Sequence, residues 1–348
     1  MAISSPVDPE KLVPPDLVTS PAEDHGDPGA RRRLPPRTAF LLRRAGRALI
    51  SLALVVIGTF LIVHLVPGDP VRAVLGPSAT PELIAATRAE LGLDKPAAQQ
   101  FTDYVTGLPR GDLDVSLQSH REVGAILAER LPPTLTLALV SFVLAAVGAL
   151  PIGIATAVST RHRRRRRAGA AVVWLLGALI AIPEFLIAIG LVALFGITLS
   201  VLPVAGWGSP DQAVLPVAAL AVGPMAYLAR IVHVEMLAVL DMPYLTTARS
   251  KRLPARLIYW RHAVPNMITG ALTAGGLVLT GMVAGTVIIE TIFAIPGLGS
   301  TIVASITAKD YPMVQGVVLV YAILVLVLNL LVDLILATID PRSSILEG

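Results

Sequence analysis

Long apolar runs separated by polar segments dominate the chain from residue 49 onward. A helix needs about 20 apolar residues to cross ~30 Å of hydrocarbon. Runs that meet this requirement cover residues 49–67, 134–158, 169–195, 213–231, 268–292 and 312–337. Because backbone polar groups in lipid must be satisfied within the segment, the pattern predicts an all-α polytopic membrane protein with six transmembrane helices.

Composition supports this prediction. Hydrophobic residues make up 54% of the chain and charged residues 15%, and the mean hydropathy is +0.73, well outside the usage of soluble domains. The chain has no cysteine, which excludes disulfides, thiolate metal ligands and thiol nucleophiles. Residues 1–40 are rich in proline and predict a disordered tail.

Arginine and lysine cluster in residues 31–47, 161–167 and 249–261. By the positive-inside rule these segments are cytoplasmic, which places both termini and the short tail 341–348 in the cytoplasm. Beside two membrane spans, the arginine run 161–167 is better explained by topology and lipid contact than by nucleic-acid binding.

The acidic segment 68–130 follows the first span, residues 41–67, and faces outward on this reading. It is too long for a tight connection and too charged for lipid, so it predicts a small helical external subdomain. One helix should open at Thr80-Pro81-Glu82, which offers a capping residue, a proline at the first helical position and an acid in the first turn. The core with the other five spans covers residues 131–340.

Motifs for chemistry are absent from the sequence. There is no Gly-x-x-x-x-Gly-Lys-Ser/Thr loop, no His-Glu-x-x-His and no Gly-x-Ser-x-Gly. We therefore expect no catalytic, cofactor or metal site, and no residue set supports a membrane-embedded enzyme. If ATP drives this protein, a partner must bind the ATP.

Four acids lie in or near the apolar runs: Glu184, Glu235, Glu290 and Asp333. Acids at such depth belong either to a substrate path or to a hydrogen-bonding strut. With no arginine or lysine at comparable depth, a stand-alone gradient-driven carrier that uses Glu290 and Asp333 is one alternative, although the repeats and broken helices common in carriers are not evident. Asp333 follows Asn329 by one helical turn, which favours a strut.

The segment 235–265 alternates Leu, Ala and Ile with Arg and Lys between two apolar runs. This pattern predicts a short amphipathic helix that can dock into a partner.

An ordered set of motifs covers nearly the whole chain from Arg43 onward. Its members are Pro67-Gly68-Asp69-Pro70, Leu91-Gly92-Leu93-Asp94, Gly111-Asp112-Leu113 with Ser116, Arg130-Leu131-Pro132 with Thr134, Thr247-Ala248-Arg249-Ser250-Lys251, His262-Ala263 with Asn266, Glu290-Thr291-Ile292-Phe293, Ile295-Pro296-Gly297-Leu298-Gly299, Asp310-Tyr311-Pro312 and Asp340-Pro341-Arg342. With this set the chain resembles permease subunits of the oligopeptide, dipeptide and nickel group of ATP-binding-cassette (ABC) importers, in particular the B-type permease with an external loop after its first span. The glycine- and proline-rich motif 295–299 is interpreted as a turn near the outward-facing gate that such a permease has.

The resemblance implies the transmembrane domain of a type I ABC importer in the cytoplasmic membrane of a prokaryote. The implied partners are a second permease, two ATPase subunits that bind ATP and Mg, an external substrate-binding lipoprotein, membrane lipids and a peptide substrate. It also implies a cytoplasmic coupling helix that sits in a cleft of the ATPase. That helix corresponds to Thr246, Thr247, Ala248, Arg249, Ser250, Lys251, Arg252 and Leu253.

Arg252 departs from the family pattern, which has glycine at this position. Glycine would permit a left-handed turn at the end of the helix. We expect Arg252 either to extend the helix or to shift the turn to the Leu253-Pro254 step. Our hypothesis is that coupling survives, because Pro254 still interrupts the helix.

Overall fold

A computed structural model describes residues 36–65, 70–75, 79–90, 92–162 and 164–339. The predicted tails, apart from the segment 36–40, lie outside these ranges, as does the motif Asp340-Pro341-Arg342. In chain order the helices are α1 (Pro36–Leu65), α2 (Pro70–Leu75), α3 (Pro81–Glu90), α4 (Ala97–Gly107), α5 (Val123–Arg161), α6 (Arg166–Ala181), α7 (Glu184–Thr198), α8 (Pro210–Leu240), α9 (Pro243–Ser250), α10 (Ala255–Ile292), α11 (Leu298–Ala308) and α12 (Tyr311–Ile339).

Helices α1, α5, α8, α10 and α12 are each long and apolar enough to cross a membrane. The third predicted span, 169–195, is not continuous: α6 and α7 meet at 98° and count as one span only together. The break lies at Ile182, which is extended (φ −81°, ψ 121°) and precedes Pro183. Proline disfavours the helical conformation in the residue before it and supplies no backbone donor, so the helix must end there. The sequence prediction was wrong to run through this proline.

Helix α11 is a second difference from the prediction. The glycine- and proline-rich motif 295–299 does form a turn, but it leads directly into α11 rather than into the last span. Lys309 then ends α11 in the left-handed conformation (φ 56°).

The predicted helix at Thr80-Pro81-Glu82 is confirmed as α3. The Leu83 amide donates to the Thr80 hydroxyl (3.3 Å), the expected capping bond. Helix α4 rests against α1, because the rings of Phe60 and Phe101 meet edge to face with centroids 5.1 Å apart. An aromatic contact of this kind stabilises α4 against the bundle, since α4 has no fully buried residue of its own.

Helices α5 and α8 form the most extensive contact in the bundle. At Gly153 of α5 the backbones approach so closely that a Cβ atom would lie 2.5 Å from Val232 Cγ1 and 2.6 Å from the Ala229 carbonyl oxygen. Small residues at such crossings let membrane helices pack through their backbones.

We predict that Gly153→Ala lowers the thermal unfolding midpoint of the purified protein, because the added methyl overpacks the α5–α8 contact by about 1–3 kcal/mol. Gly177→Ala in α6 is the matched control, since a Cβ there would meet no atom within 4 Å. The control should unfold at or above the wild-type midpoint, as alanine favours helix. Equal midpoints for both variants would contradict the close approach.

Candidate functional site

The segment between α8 and α10 contains the predicted coupling residues. Helix α9 begins at Pro243 and ends at Ser250, so the predicted helix 246–253 is displaced: Lys251, Arg252 and Leu253 lie in the turn after it. Pro243 occupies the first helical turn, where its missing donor costs nothing.

One side of α9 faces its own bundle. Leu245 and Ala248 are buried in an apolar cluster with Ile154, Met236 and Met267. Thr246, Thr247, Ser250 and Lys251 are exposed. Ala248, one of the residues of the implied coupling helix, packs inward, whereas the threonines at 246 and 247 are available for contact with a partner.

One polar contact fixes α9 to α8, and a second joins α5 to the residue that follows α8. The Arg249 guanidinium donates from Nη2 to the Leu240 carbonyl oxygen (3.3 Å) at the end of α8, where a cation offsets the unpaired carbonyl groups and the helix dipole. At the same place Arg161 of α5 pairs with Asp241 (Nη2 to Oδ1, 2.5 Å). Helices α5, α8 and α9 are thus joined at one end of the bundle.

Arg252 itself adopts the left-handed conformation (φ 53°). Its amide donates to the Arg249 carbonyl oxygen (2.9 Å), and the Leu253 amide reaches the Ala248 carbonyl oxygen (3.5 Å). This bond pattern is the Schellman motif, which usually has glycine at the position of Arg252. Both alternatives inferred from the sequence were wrong: the helix is not extended, and the turn is not shifted. The backbone keeps the geometry of the family pattern although the residue departs from it.

At the other end of the bundle, Glu290 is fully buried. Its carboxylate accepts hydrogen bonds from the Thr134 hydroxyl of α5 (2.7 Å) and from the Ser300 amide of α11 (3.0 Å). The same Thr134 oxygen accepts from the Leu298 amide (2.8 Å). We call Glu290, Thr134, Leu298 and Ser300 the Glu290 latch. It joins α5, α10 and the start of α11.

The glycines of the motif 295–299 are explained by the latch. A Cβ atom at Gly297 would overlap the Glu290 carboxylate, and one at Gly299 would lie 2.5 Å from the Val287 Cα and 2.9 Å from the Glu290 Oε2 atom. Glycine lets the backbone amides approach the buried acid. The motif therefore allows the backbone to contact Glu290. From the sequence it was predicted only as a turn.

A second buried acid, Asp310, lies on the same side of the bundle as the latch. Its Oδ2 accepts from the Ser116 hydroxyl (2.5 Å) and its Oδ1 from the Leu117 amide (3.1 Å). The contact holds the segment that precedes α5 against the start of α12. Sequence reasoning did not single out Asp310 as a site, although Ser116 and Asp310 both stand in the motif set.

The two remaining predicted polar residues do not pair with each other. Asn329 of α12 accepts from the Thr280 hydroxyl of α10 (2.8 Å), and Asp333 forms an ion pair with Arg44 of α1. The inference that no cation is available to pair with these acids was wrong, because Arg44, from the cluster that the sequence assigns to the cytoplasmic side, reaches Asp333. Both residues connect neighbouring helices.

Within the part of the chain that the structure describes, no group of three or more His, Cys, Asp or Glu side chains could hold a metal ion. The polar groups described above bond to one another and connect neighbouring helices.

Comparison with known families gives two matches that together cover most of the chain. Residues 149–345 match the model of the binding-protein-dependent transport system inner membrane component, and residues 37–138 match the model of the N-terminal membrane component of such systems.

Individual relatives agree with the family models. The chain is 37% identical to a peptide transport system permease protein of Brucella abortus over 88% of this chain and 98% of that protein. It is 34% identical to a glutathione transport system permease of Salmonella choleraesuis (87% and 97%) and 33% identical to a dipeptide transport system permease of Lactococcus lactis (87% and 98%). The membrane fold is similar to that of the inward-facing methionine ABC transporter MetNI, with a TM-score of 0.52 and 18% identity over 62% of this chain and 96% of that one.

We predict that Thr134→Val lowers the unfolding midpoint, because valine keeps the shape but leaves the buried Leu298 amide without an acceptor and removes one of the donors to Glu290. A buried group left unsatisfied costs about 1–3 kcal/mol. Thr273→Val in α10 is the control, since its exposed hydroxyl bonds only to the Thr269 carbonyl oxygen of its own helix. The latch would be contradicted if both variants had the unfolding midpoint of the wild type.

We predict that Arg252→Gly raises the unfolding midpoint, since glycine adopts positive φ without steric cost. The free energy of unfolding should rise by up to about 1 kcal/mol. Arg252→Val should lower it, because a β-branched residue fits this conformation worst. If the order of the two variants were reversed, the Schellman turn would not be present in solution.

Proposed function

Because the chain belongs to the family of binding-protein-dependent transport system inner membrane components, the permeases of ABC importers, we propose that it conducts peptides across the cytoplasmic membrane. The observation that carries the proposal is the 37% identity, along nearly the whole chain, to a peptide transport permease. Two further relatives are named as permeases of glutathione and dipeptide transport systems, and both of these solutes are short peptides. The permease is a multi-pass membrane protein. Because its family belongs to ATP-driven importers, the alternative of a gradient-driven carrier is not favoured.

Members of this family work with ATPase and substrate-binding proteins. We propose the fuller assembly implied by the sequence: a second homologous permease, two ATPase subunits that carry ATP and Mg, and an external lipoprotein that delivers the peptide. The arginine clusters near 161–167 and 249–261 support a cytoplasmic position for α9 and for both termini.

The role proposed for α9 is to meet the ATPase. The contacts of α9 support this role and assign a task to each part of the helix. Leu245, Ala248 and Arg249 hold α9 to the permease, while Thr246, Thr247, Ser250 and Lys251 present small or cationic groups outward. Because Arg249 bonds to the end of α8, a displacement of α9 moves α8 with it. Rigid helices would carry that motion to the Glu290 latch side.

Glu290, Asn329 and Asp333 then act as struts rather than as pathway groups. Each is engaged by a neighbouring helix in the structure: Glu290 by Thr134, Asn329 by Thr280 and Asp333 by Arg44. A group that is already paired has less capacity to bind a passing solute.

Purification of the tagged chain from its native cell in mild detergent tests the assembly. We expect ATPase subunits, a second permease and a binding lipoprotein to co-purify, with ATP hydrolysis in the eluate and ATP-dependent uptake of a dipeptide after reconstitution. A chain that elutes alone, without hydrolysis, would contradict the proposal.

We predict that Thr247→Trp abolishes substrate-stimulated ATP hydrolysis while the permease remains folded, because a large ring on the outward side of α9 prevents close approach of the ATPase. Thr102→Trp on the exposed face of α4 is the matched control and should hydrolyse ATP like the wild type. Arg252→Gly should also remain coupled, since the backbone turn already has the geometry glycine prefers. Full stimulation of the Thr247→Trp complex would exclude α9 as the contact.

A further inference from the structure

Glu184 is an acid in the apolar part of the bundle that, unlike Glu290 and Asp333, has no partner among the described residues. Glu290 is bonded in its latch and Asp333 pairs with Arg44. Glu235 also has no hydrogen bond or ion pair among the described residues, but it lies at the α9 end of the bundle, beside Gly270 and five residues before α8 ends at Leu240. Among the described residues, no hydrogen bond or ion pair is found for the Glu184 carboxylate, which is half-buried.

The depth of Glu184 follows from its neighbours. A Cβ atom at Gly285 of α10 would lie 2.7 Å from the Glu184 Oε2 atom and 3.2 Å from Leu220 Cδ1 of α8. At about 1.5 Å per residue, Gly285 is about 10 Å from the end of α10 and Leu220 about 15 Å from the start of α8. The carboxylate therefore lies between the span-length helices α8 and α10, on the side of the Glu290 latch.

The break between α6 and α7 places Glu184 there. A continuous helix through Pro183 would carry the side chain elsewhere, but the 98° bend starts α7 at Glu184 and directs it against α8 and α10. Gly285 provides the space, since any side chain at that position would displace the carboxylate.

Open helix surface lies next to Glu184. One helical turn from Leu220 and Gly285, towards the α9 end, lie Gly223 and Gly281. A Cβ atom at either position would meet nothing within 4 Å. Both glycines are at least partly exposed, so the acid borders a stretch of open helix surface without side chains.

We propose that Glu184 binds the protonated amino group of the transported solute. An acid at this depth is costly without a cation, and functional partners are the usual reason for its presence. The described residues do not supply that cation, and the acid repels anions. This inference rests on the proposed function, because a peptide carries a protonated amino terminus that can form a charged hydrogen bond with Glu184 during passage.

The test is uptake of labelled alanylalanine by the reconstituted complex with its binding protein. We expect Glu184→Gln to lower the maximal uptake rate about tenfold, the effect of losing one charged hydrogen bond, and Glu184→Asp to retain most of it. Glu82→Gln on the exposed face of α3 removes the same charge and should transport like the wild type. Wild-type uptake by Glu184→Gln, or an equal fall in Glu82→Gln, would overturn the inference.

A partner permease could instead supply the cation. In that case Glu184→Gln would lose the second permease on purification, which also overturns the inference, whereas we expect full recovery of the complex.

A labelling experiment keeps the site testable if the wild-type complex imports no dipeptide. That outcome would reject the peptide as solute, but not the position of Glu184. Because the chain has no cysteine, Glu184→Cys provides a single thiol that a small water-soluble methanethiosulfonate should modify. Ala188→Cys, fully buried on the same helix, should stay unmodified. Equal protection of both thiols would show that Glu184 does not border the path.

Discussion

A buried carboxylate must be surrounded by donors, and the architecture on one side of this bundle follows from that requirement at Glu290. The donors come from Thr134 on α5 and from the backbone at the start of α11. To bring that backbone close, the chain needs glycine at 297 and 299. The latch therefore determines where α10 ends, how the following turn runs and how α11 packs against α5. Replacing any one part leaves a polar group unsatisfied inside the bundle.

At the opposite end of the bundle, helices are joined through the short helix α9 instead of through a buried acid. Helix α9 is too short to be stable alone, and its position depends on two buried apolar residues and on the bond from Arg249 to the end of α8. The ion pair between Arg161 and Asp241 adds α5 to the assembly. Since α5 and α8 run from this side to the side of the latch, α9 is attached to the two helices that pack most extensively among the described residues.

The sequence predicted most of the spans because hydrophobic length is a local property. The break at Pro183 was missed because the apolar run continues through it, and only the preference of the residue before proline indicated an end. Helix α11 and the partners of Glu290 and Asp333 were missed for another reason. They depend on residues far apart in the chain, such as Thr134 and Arg44, which hydropathy cannot bring together. The left-handed Arg252 shows that a turn can persist after its preferred residue is lost.

We propose that the outward side of α9 meets the ATPase while its inward side holds α9 to the permease. Because the chain lacks cysteine, single-cysteine cross-linking in the assembled complex tests this directly. A short bifunctional thiol reagent should join Thr247→Cys to an ATPase subunit and should leave Ala248→Cys unlinked. Cross-links from Ala248→Cys, or none from Thr247→Cys in a complex that hydrolyses ATP, would contradict the account.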